Sequence, residues 1–319
     1  MPSSDFPMSL SLEEAQQRVV SICKSRQLAI DTIPLQVAVG RVLAEDAHAS
    51  DDIPAFDNSA MDGFAVRGED LPCEGEARFQ VMETLLAGHV TQRVLGVGQC
   101  MRIMTGARMP NGADTVVIKE RVRVEANIAV IGAGERQGSN VRPRGEEMLA
   151  GQLAVGRGQR IRATHASLLA SLGMDRVRVF RQPRASIIST GDELVMPGQS
   201  CSGAQIYNSN GFGLAALLGG AGAQLDRADE SPDGLPFRHV ADDREQLRCA
   251  LLDAARASEV VITSGGVSAG EADHLPGLVR ELGQVHFWKV RLRPGMPFLF
   301  GEIEGALLFC LPGNPVSSL

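Results

Sequence analysis

Three short stretches combine small flexible residues with oxygen-bearing side chains: Thr190-Gly191-Asp192-Glu193, the run Ser264 to Gly270, and Pro312-Gly313-Asn314-Pro315. Glycine lets the main chain approach phosphate oxygens closely, and N–H groups that open a following helix favour an anion. Carboxylates gather on the same or neighbouring loops, as Asp192 with Glu193, Asp242 with Asp243, and Glu271 with Asp273. Oxygen donors beside a phosphate suit Mg2+, which takes near-octahedral oxygen ligands and keeps several waters. Any one of these turns reads equally as an ordinary strand-to-helix connection. Three within one segment point to a site. Asp243 serves as readily to cap the helix after it as to bind a ligand. Glu193 and Asp273 follow glycine turns at which no cap is required.

Farther along, Trp288 to Arg293 alternates strictly. A strand there would put Lys289, Arg291 and Arg293 on one face, either to hold an oxyanion or phosphate or to form a solvated outer surface. Asp57 to Gly63 is dense in turn formers and reads as a turn with Asx bonds. Arg142 to Glu147 could be an anion clamp or a salt-bridged turn.

These residues need elements to position them. After Pro183 the rhythm is α/β. Strands are predicted at 185–189, 224–228, 260–263, 286–293 and 307–311, with helices at 209–218, 244–257 and 275–282. Such alternation predicts a mostly parallel sheet between helix layers, with ligands outside the carboxyl ends of the strands. Neither a dinucleotide fingerprint nor a P-loop lysine occurs. Near the start, Ser11 and Glu14 form a capping-box pattern, and Leu12, Ala15, Val19, Ile22 and Cys23 recur at helical spacing. Short strand-like runs at 64–66, 79–83, 115–118, 121–124 and 128–131 predict a small β-rich domain. A helix-like stretch at 163–172 would let 139–181 close a composite domain with the N-terminal helix. The expected division is therefore 1–53 with 139–181, then 54–138, then an α/β domain over 182–319.

Composition narrows the function further. Of 319 residues, 4% are aromatic and the formal charge is -7, which speaks against a general nucleic-acid binder with stacking rings and a basic surface. Local groups must then hold any anionic ligand. The six cysteines show no Cys-x-x-Cys spacing and read as free thiols, favouring a reducing compartment. No apolar run approaches the ~20 residues of a membrane span, and the N-terminus lacks a signal-peptide pattern. A cytoplasmic protein is expected.

The segments Pro54–Gly63 (PAFDNSAMDG), Arg102–Gly106 (RIMTG), Val141–Glu147, Ser189–Leu194 (STGDEL), Ser264–Asp273 (SGGVSAGEAD), Phe287–Lys289 and Leu311–Ser317 (LPGNPVS) together resemble the molybdopterin molybdenumtransferase family, which includes the gephyrin E domain. That resemblance implies an elongated homodimer that uses Mg2+ to cleave adenylylated molybdopterin as molybdate is inserted. It implies catalytic roles for Asp62, Thr105, Glu193, Asp242 and Asp273. Glu193, Asp242 and Asp273 would serve the metal, and Asp62 and Thr105 would enter the cleft from the other protomer. Substrate would be bound by Gly191, Gly265, Gly266, Ser268, Lys289, Arg293, Pro312, Gly313, Asn314 and Pro315.

The chain departs from the family pattern in three places. Glu147 stands where many members carry Asp. Arg293 and Met296 fall in a Lys-Pro-Gly-Lys-Pro pattern, so that a lysine charge is replaced by arginine in one place and lost in the other. Relatives also continue past Leu319 into a further small β-domain that walls the cleft. Two other readings follow from the shortened pattern and the α/β segment: a non-catalytic pterin-binding or dimerising scaffold, and a pterin adenylyltransferase. An adenylyltransferase of that kind is also the expected partner.

Overall fold

The computed structural model describes residues 6–226, 234–267 and 273–319. They divide into two compact units, one formed by 1–33 with 178–319 and the other by 34–177.

The first unit is built on an eight-stranded sheet. Arg184–Thr190, Val260–Ser264 and Ala306–Leu311 lie side by side and parallel, with Ser189 opposite Ser264 and Ser264 opposite Leu311. Their central residues are apolar and the polar ones are small and buried apart from Arg184 at the first strand's start, as befits strands covered on both faces. Alternation sends Ile188, Val261, Leu308 and Cys310 to one face, where helices Arg244–Ala257 and Leu275–Leu282 cover them. Ile187, Ile262 and Phe309 point the other way, toward helix Asn210–Ala221. This is the expected three-layer α/β arrangement.

Two features of the sheet went unanticipated. Leu299–Ile303 inserts antiparallel between Gly283–Val290 and Ala306–Leu311. Its link to the last strand is a tight hairpin through Glu304 and Gly305, whose φ values are 50° and 85°, as a two-residue hairpin loop demands. The other is a register shift between Val285 and Phe287. Because of it Val285 joins one core and Phe287 the opposite one, although two residues apart would normally share a face.

Helix Leu12–Lys24 begins with the predicted capping box: the Ser11 N–H donates to Glu14 Oε2 at 2.7 Å and Glu14 N–H to Ser11 Oγ at 3.2 Å. Its partner differs from the expected one. Ala15, Val19 and Ile22 pack on Phe287, Val290, Phe300 and Leu307 of the large sheet, and Met8–Leu10 pairs with Gly283–Val290 as an edge strand. The apolar stripe of the helix finds aromatic cover on the sheet, so residues 8–24 belong with the α/β unit and do not close a domain with 139–181.

The second unit centres on a six-stranded sheet in the order Thr115–Ile118, Gly63–Val66, Gln99–Ile103, Glu76–Leu85, Ile128–Gly132, Val122–Glu125. Every strand-like run predicted between 64 and 131 falls on one of its strands, except that Arg121 belongs to the turn before Val122–Glu125. Phe64, Phe79, Cys100 and Ile131 fill one core, and Ala65, Met101, Ile103 and Val116 another. Helix Ala163–Ser171 falls where expected. All six cysteines are free, with Cys100 and Cys310 buried and their thiols pushed up to about 12 by desolvation. No described helix is long and apolar enough to cross a membrane.

Phe300 is fully buried, with ring centroids of Phe309 and Phe287 at 4.8 and 5.6 Å. Phe300→Ala is expected to remove ~3–5 kcal/mol through loss of transfer energy and an unfilled cavity. Urea unfolding followed by the single tryptophan, Trp288, will read this directly. An unchanged midpoint would show that the aromatic cluster is not what secures this unit.

Candidate active site

The carboxyl ends of the three parallel strands open into one cavity of about 450 Å3. Its lining includes Thr190, Gly191, Glu193, Asp242, Gly265, Gly266, Asp273 and all of Pro312 to Pro315. Glu193, Asp242 and Asp273, expected on three separate loops, thus share a single space with the predicted glycine turns.

Close approach of main chain to main chain explains the glycine at 265. Gly265 has φ +101°, and a Cβ placed there would meet the Thr190 carbonyl oxygen at 2.5 Å. The Gly265 N–H donates to Leu311 O at 3.0 Å, extending the ladder past the strand end. Across the cavity floor a Cβ on Gly313 would sit 3.8 Å from Gly265 Cα. Asn210, at the first turn of the next helix, ties the same turns together. Its Nδ2 donates to Ser264 Oγ at 2.7 Å and to Gly313 O at 2.8 Å.

Polar bonds also hold the acidic loops. Asp242 Oδ1 accepts the Thr190 hydroxyl at 2.6 Å, and the Asp242 N–H donates to Asp192 Oδ1 at 3.1 Å. His239 contributes a ring-nitrogen contact of 2.9 Å to the Gly191 carbonyl. Asp243 proves to be the helix cap, its Oδ1 accepting the Gln246 N–H at 2.9 Å. The alternative open for that residue is thereby resolved toward structure.

Among the described residues no three His, Cys, Asp or Glu side chains stand close enough to grip a metal unaided. The donor set is nonetheless suited to Mg2+, which commonly takes one or two carboxylates and completes its shell with water and substrate phosphate. Carboxylates facing a glycine-lined cavity fit that description.

The cationic stripe is not formed. The strand stops at Val290, Lys289 adopts φ 69°, and Arg293 precedes a cis proline. A positive φ breaks the strict alternation on which the three-cation face depended. Lys289 Nζ instead lies 4.9 Å from the Trp288 ring centroid, and Arg291 pairs with Glu14 at 3.8 Å. Neither Lys289 nor Arg293 lines the cavity. Ser268 and Glu271 lie outside the described residues. Residues the sequence reading did not single out, Asn208 and Asn210, line the cavity within Ile206 to Asn210. Their signal was weak, since Asn next to Ser reads as an ordinary loop.

Asp62 and Thr105 sit in the second unit and form a cluster of their own. Thr105 donates to Asp62 Oδ1 twice, from its N–H at 3.0 Å and its hydroxyl at 2.8 Å, and Lys119 Nζ lies 3.4 Å from Oδ2. Gly63 beside it admits no side chain, because a Cβ would lie 2.1 Å from Val117 O. The Asp62 carboxyl is held below its ordinary range, first by the Thr105 N–H, then by the Thr105 hydroxyl, with Lys119 adding to the effect. Arg142 and Glu147 face each other at 3.9 Å, while Arg144 Nε bonds Asp52 at 2.6 Å. That turn is salt-bridged.

The chain matches two family models: "MoeA N-terminal region (domain I and II)" over residues 10–173, and "Probable molybdopterin binding domain" over 186–319. It is 35% identical to a molybdopterin molybdenumtransferase of Haemophilus influenzae, covering 97% of this chain and 74% of that protein. A molybdopterin molybdenumtransferase of Staphylococcus aureus strain MSSA476 is 34% identical, covering 96% and 71%. Among solved structures, the molybdopterin biosynthesis MoeA protein of Pyrococcus horikoshii superposes with a TM-score of 0.79 at 31% identity, covering 97% of this chain and 76% of that one. The chain belongs to the molybdopterin molybdenumtransferase family.

Because the Asp62 carboxyl titrates low in the folded state, its bonds stabilise the fold above the unfolded pKa and are lost as pH falls through the folded one. Thr105→Val keeps the N–H bond and removes the hydroxyl bond. Its Asp62 titration, followed by carboxyl 13C shifts, is expected to move upward toward the ordinary value. A curve identical to wild type would show that the hydroxyl contributes nothing to this carboxylate.

Proposed function

We propose that this chain, as a member of that family, inserts molybdate into adenylylated molybdopterin and releases AMP, yielding molybdenum cofactor. The observation that carries the reading is the gathering of Glu193, Asp242 and Asp273 with three strand-end turns around one cavity.

The turns at Gly191, Gly265 and Gly266, and Pro312 to Pro315 would receive the diphosphate of the substrate. Main chain without side chains can approach its oxygens there, and N–H groups can point at them. In an acidic chain this local polarity substitutes for a basic surface. One or two of Glu193, Asp242 and Asp273 would hold Mg2+ together with water and the substrate's own oxygens, and the ion would supply charge neutralisation at the diphosphate. Thr190 keeps Asp242 oriented through its hydroxyl, leaving the other carboxylate oxygen for the ligand. Water would supply the oxygen that replaces the broken phosphoanhydride link, AMP would leave, and the dithiolene sulfurs would displace oxygen from molybdate, which departs as water with the oxidation state of molybdenum unchanged.

We further propose that the protein works as a homodimer in the cytoplasm, with Asp62 and Thr105 of one protomer completing the cavity of the other. A pterin adenylyltransferase would supply the substrate. Family membership supports this arrangement, and the tight Asp62–Thr105 pairing gives the carboxylate a fixed position from which to act.

Release of AMP from adenylylated molybdopterin is expected to require both molybdate and Mg2+. Glu193→Gln, Asp242→Asn and Asp273→Asn should each slow it by on the order of a hundredfold while leaving the fold intact. Wild-type protein that releases no AMP with any divalent ion, or releases it without molybdate, would overturn the assignment.

Mixing tests the shared cavity. In a two-fold dimer whose sites draw on both chains, Asp62→Asn and Glu193→Gln protomers complement each other. After subunit exchange about a quarter of the sites should be intact. A mixture as inactive as either variant alone would place the two residues in sites built from a single chain.

A further inference from the structure

We propose that His239 is a positioning residue for Glu193 at the cation site, acting through the Gly191 carbonyl. The inference rests on the reading of this cavity as a site for Mg2+ and a diphosphate.

The Glu193 carboxylate lies over the backbone of Gly191. A Cβ at position 191 would meet Glu193 Oε2 at 2.6 Å and Oε1 at 2.8 Å. Where the carboxylate stands therefore depends on how the adjoining peptide is turned. Gly191 has φ 144°, and a glycine brings no side chain to hold that peptide in place. Two bonds to its carbonyl do so instead. The Leu194 N–H donates at 3.1 Å, but it belongs to the same turn and moves with it. His239 Nε2 donates at 2.9 Å from outside the turn. A carbonyl oxygen only accepts, so Nε2 carries the proton of this bond.

His239 supplies a fixed end for that bond. It is the middle residue of strand Arg238–Val240, which pairs in parallel with Arg184–Thr190 and sets His239 opposite Ser189. Val240 beside it packs in one core with Leu247 and Leu251, and Phe237 packs in the opposite core. The same short segment reaches the turn a second time, where the Asp242 N–H donates to Asp192 Oδ1 at 3.1 Å. Asp242 Oδ1 in turn accepts the Thr190 hydroxyl at 2.6 Å. Residues 239 and 242 thus clamp the turn at Gly191 and at Asp192, and two acids on separate loops keep one spacing. Groups that orient a metal's ligands commonly change affinity or activity by roughly 10–100-fold when removed. His239 is itself exposed, so a substitution there removes the bond and little packing.

The test compares two amides of different reach in the full chain. His239→Gln brings an NH2 to where Nε2 stands, and His239→Asn carries the same group one methylene short. Two quantities are measured. One is Mn2+ affinity in the presence of AMP, from the electron paramagnetic resonance signal of the free ion. The other is the Mg2+ concentration that half-saturates AMP release from adenylylated molybdopterin. His239→Asn is expected to weaken Mn2+ binding about tenfold and to raise the Mg2+ requirement by a similar factor. His239→Gln should recover most of both losses, while the thermal midpoints of the two variants stay alike. Both variants matching wild type would overturn the inference. So would equal impairment of the two, because reach to the Gly191 carbonyl would then not be what matters. Should His239→Asn fail to fold, His239→Ser, whose hydroxyl is also too short, takes its place in the comparison. Wild-type chain that neither binds Mn2+ nor releases AMP would overturn the functional reading and this inference with it. Normal wild-type turnover beside an unimpaired His239→Asn overturns this inference alone.

Discussion

The cavity exists because residue 265 has no side chain. Three parallel strands end level with one another, and their exits must turn aside within a few ångströms. With φ +101° and the Thr190 carbonyl 2.5 Å from where a Cβ would stand, position 265 tolerates only glycine. Its N–H still reaches Leu311 O, so the sheet remains bonded to the last possible residue. From that junction Thr190 reaches Asp242, and Asn210 reaches both Ser264 and Gly313. The acidic loops are therefore located by main-chain packing at the strand tips, with side-chain hydrogen bonds setting the final orientation.

Much of this was legible because it follows from local rules. A parallel strand buried on both faces is a run of apolar residues, and its end is marked where glycine and small polar residues replace them. That is how the turns after Thr190, Ser264 and Leu311 could be recognised without knowing the sheet order. The capping box at Ser11 and the cap at Asp243 are similarly local. What could not be read were features set by pairing. The Val285–Phe287 shift reverses side-chain parity only because a neighbouring strand lies in register on either side of it. Lys289 leaves the extended region beside a turn containing a cis proline, and the alternating pattern Trp288 to Arg293 gives no sign of this. The Glu304–Gly305 hairpin did carry a signal, a glycine between two apolar runs, which exposes an antiparallel strand in a segment otherwise read as α/β.

The helix Leu12–Lys24 teaches the same lesson about long-range partners. Its apolar stripe and its cap identify a helix that must be covered, but not by what. Four aromatic residues, Phe287, Phe298, Phe300 and Phe309, form a continuous cluster on the sheet face. Covering it requires the helix, and the chain meets the requirement with residues far from it in sequence.

Carboxylates next to glycine recur in both units, and the reason is positional. Asp62 precedes Gly63, whose missing side chain lets the Val117 carbonyl approach within a distance no Cβ allows. Glu193 follows Gly191, where a Cβ would meet the Glu193 carboxylate itself. Asp62 thereby immediately precedes a strand, Gly63–Val66, held tightly against its neighbour, and is then bonded twice by Thr105, which lowers its pKa without burying it. A long flexible acid on an open loop would spend most of its time away from any one position, and fixing it on ligand binding costs conformational entropy. Placing the acid beside a residue without a side chain transfers that cost to folding. In a chain whose overall charge opposes an anionic ligand, this prior ordering of acids is what would let the site hold a cation, through which an anion could bind.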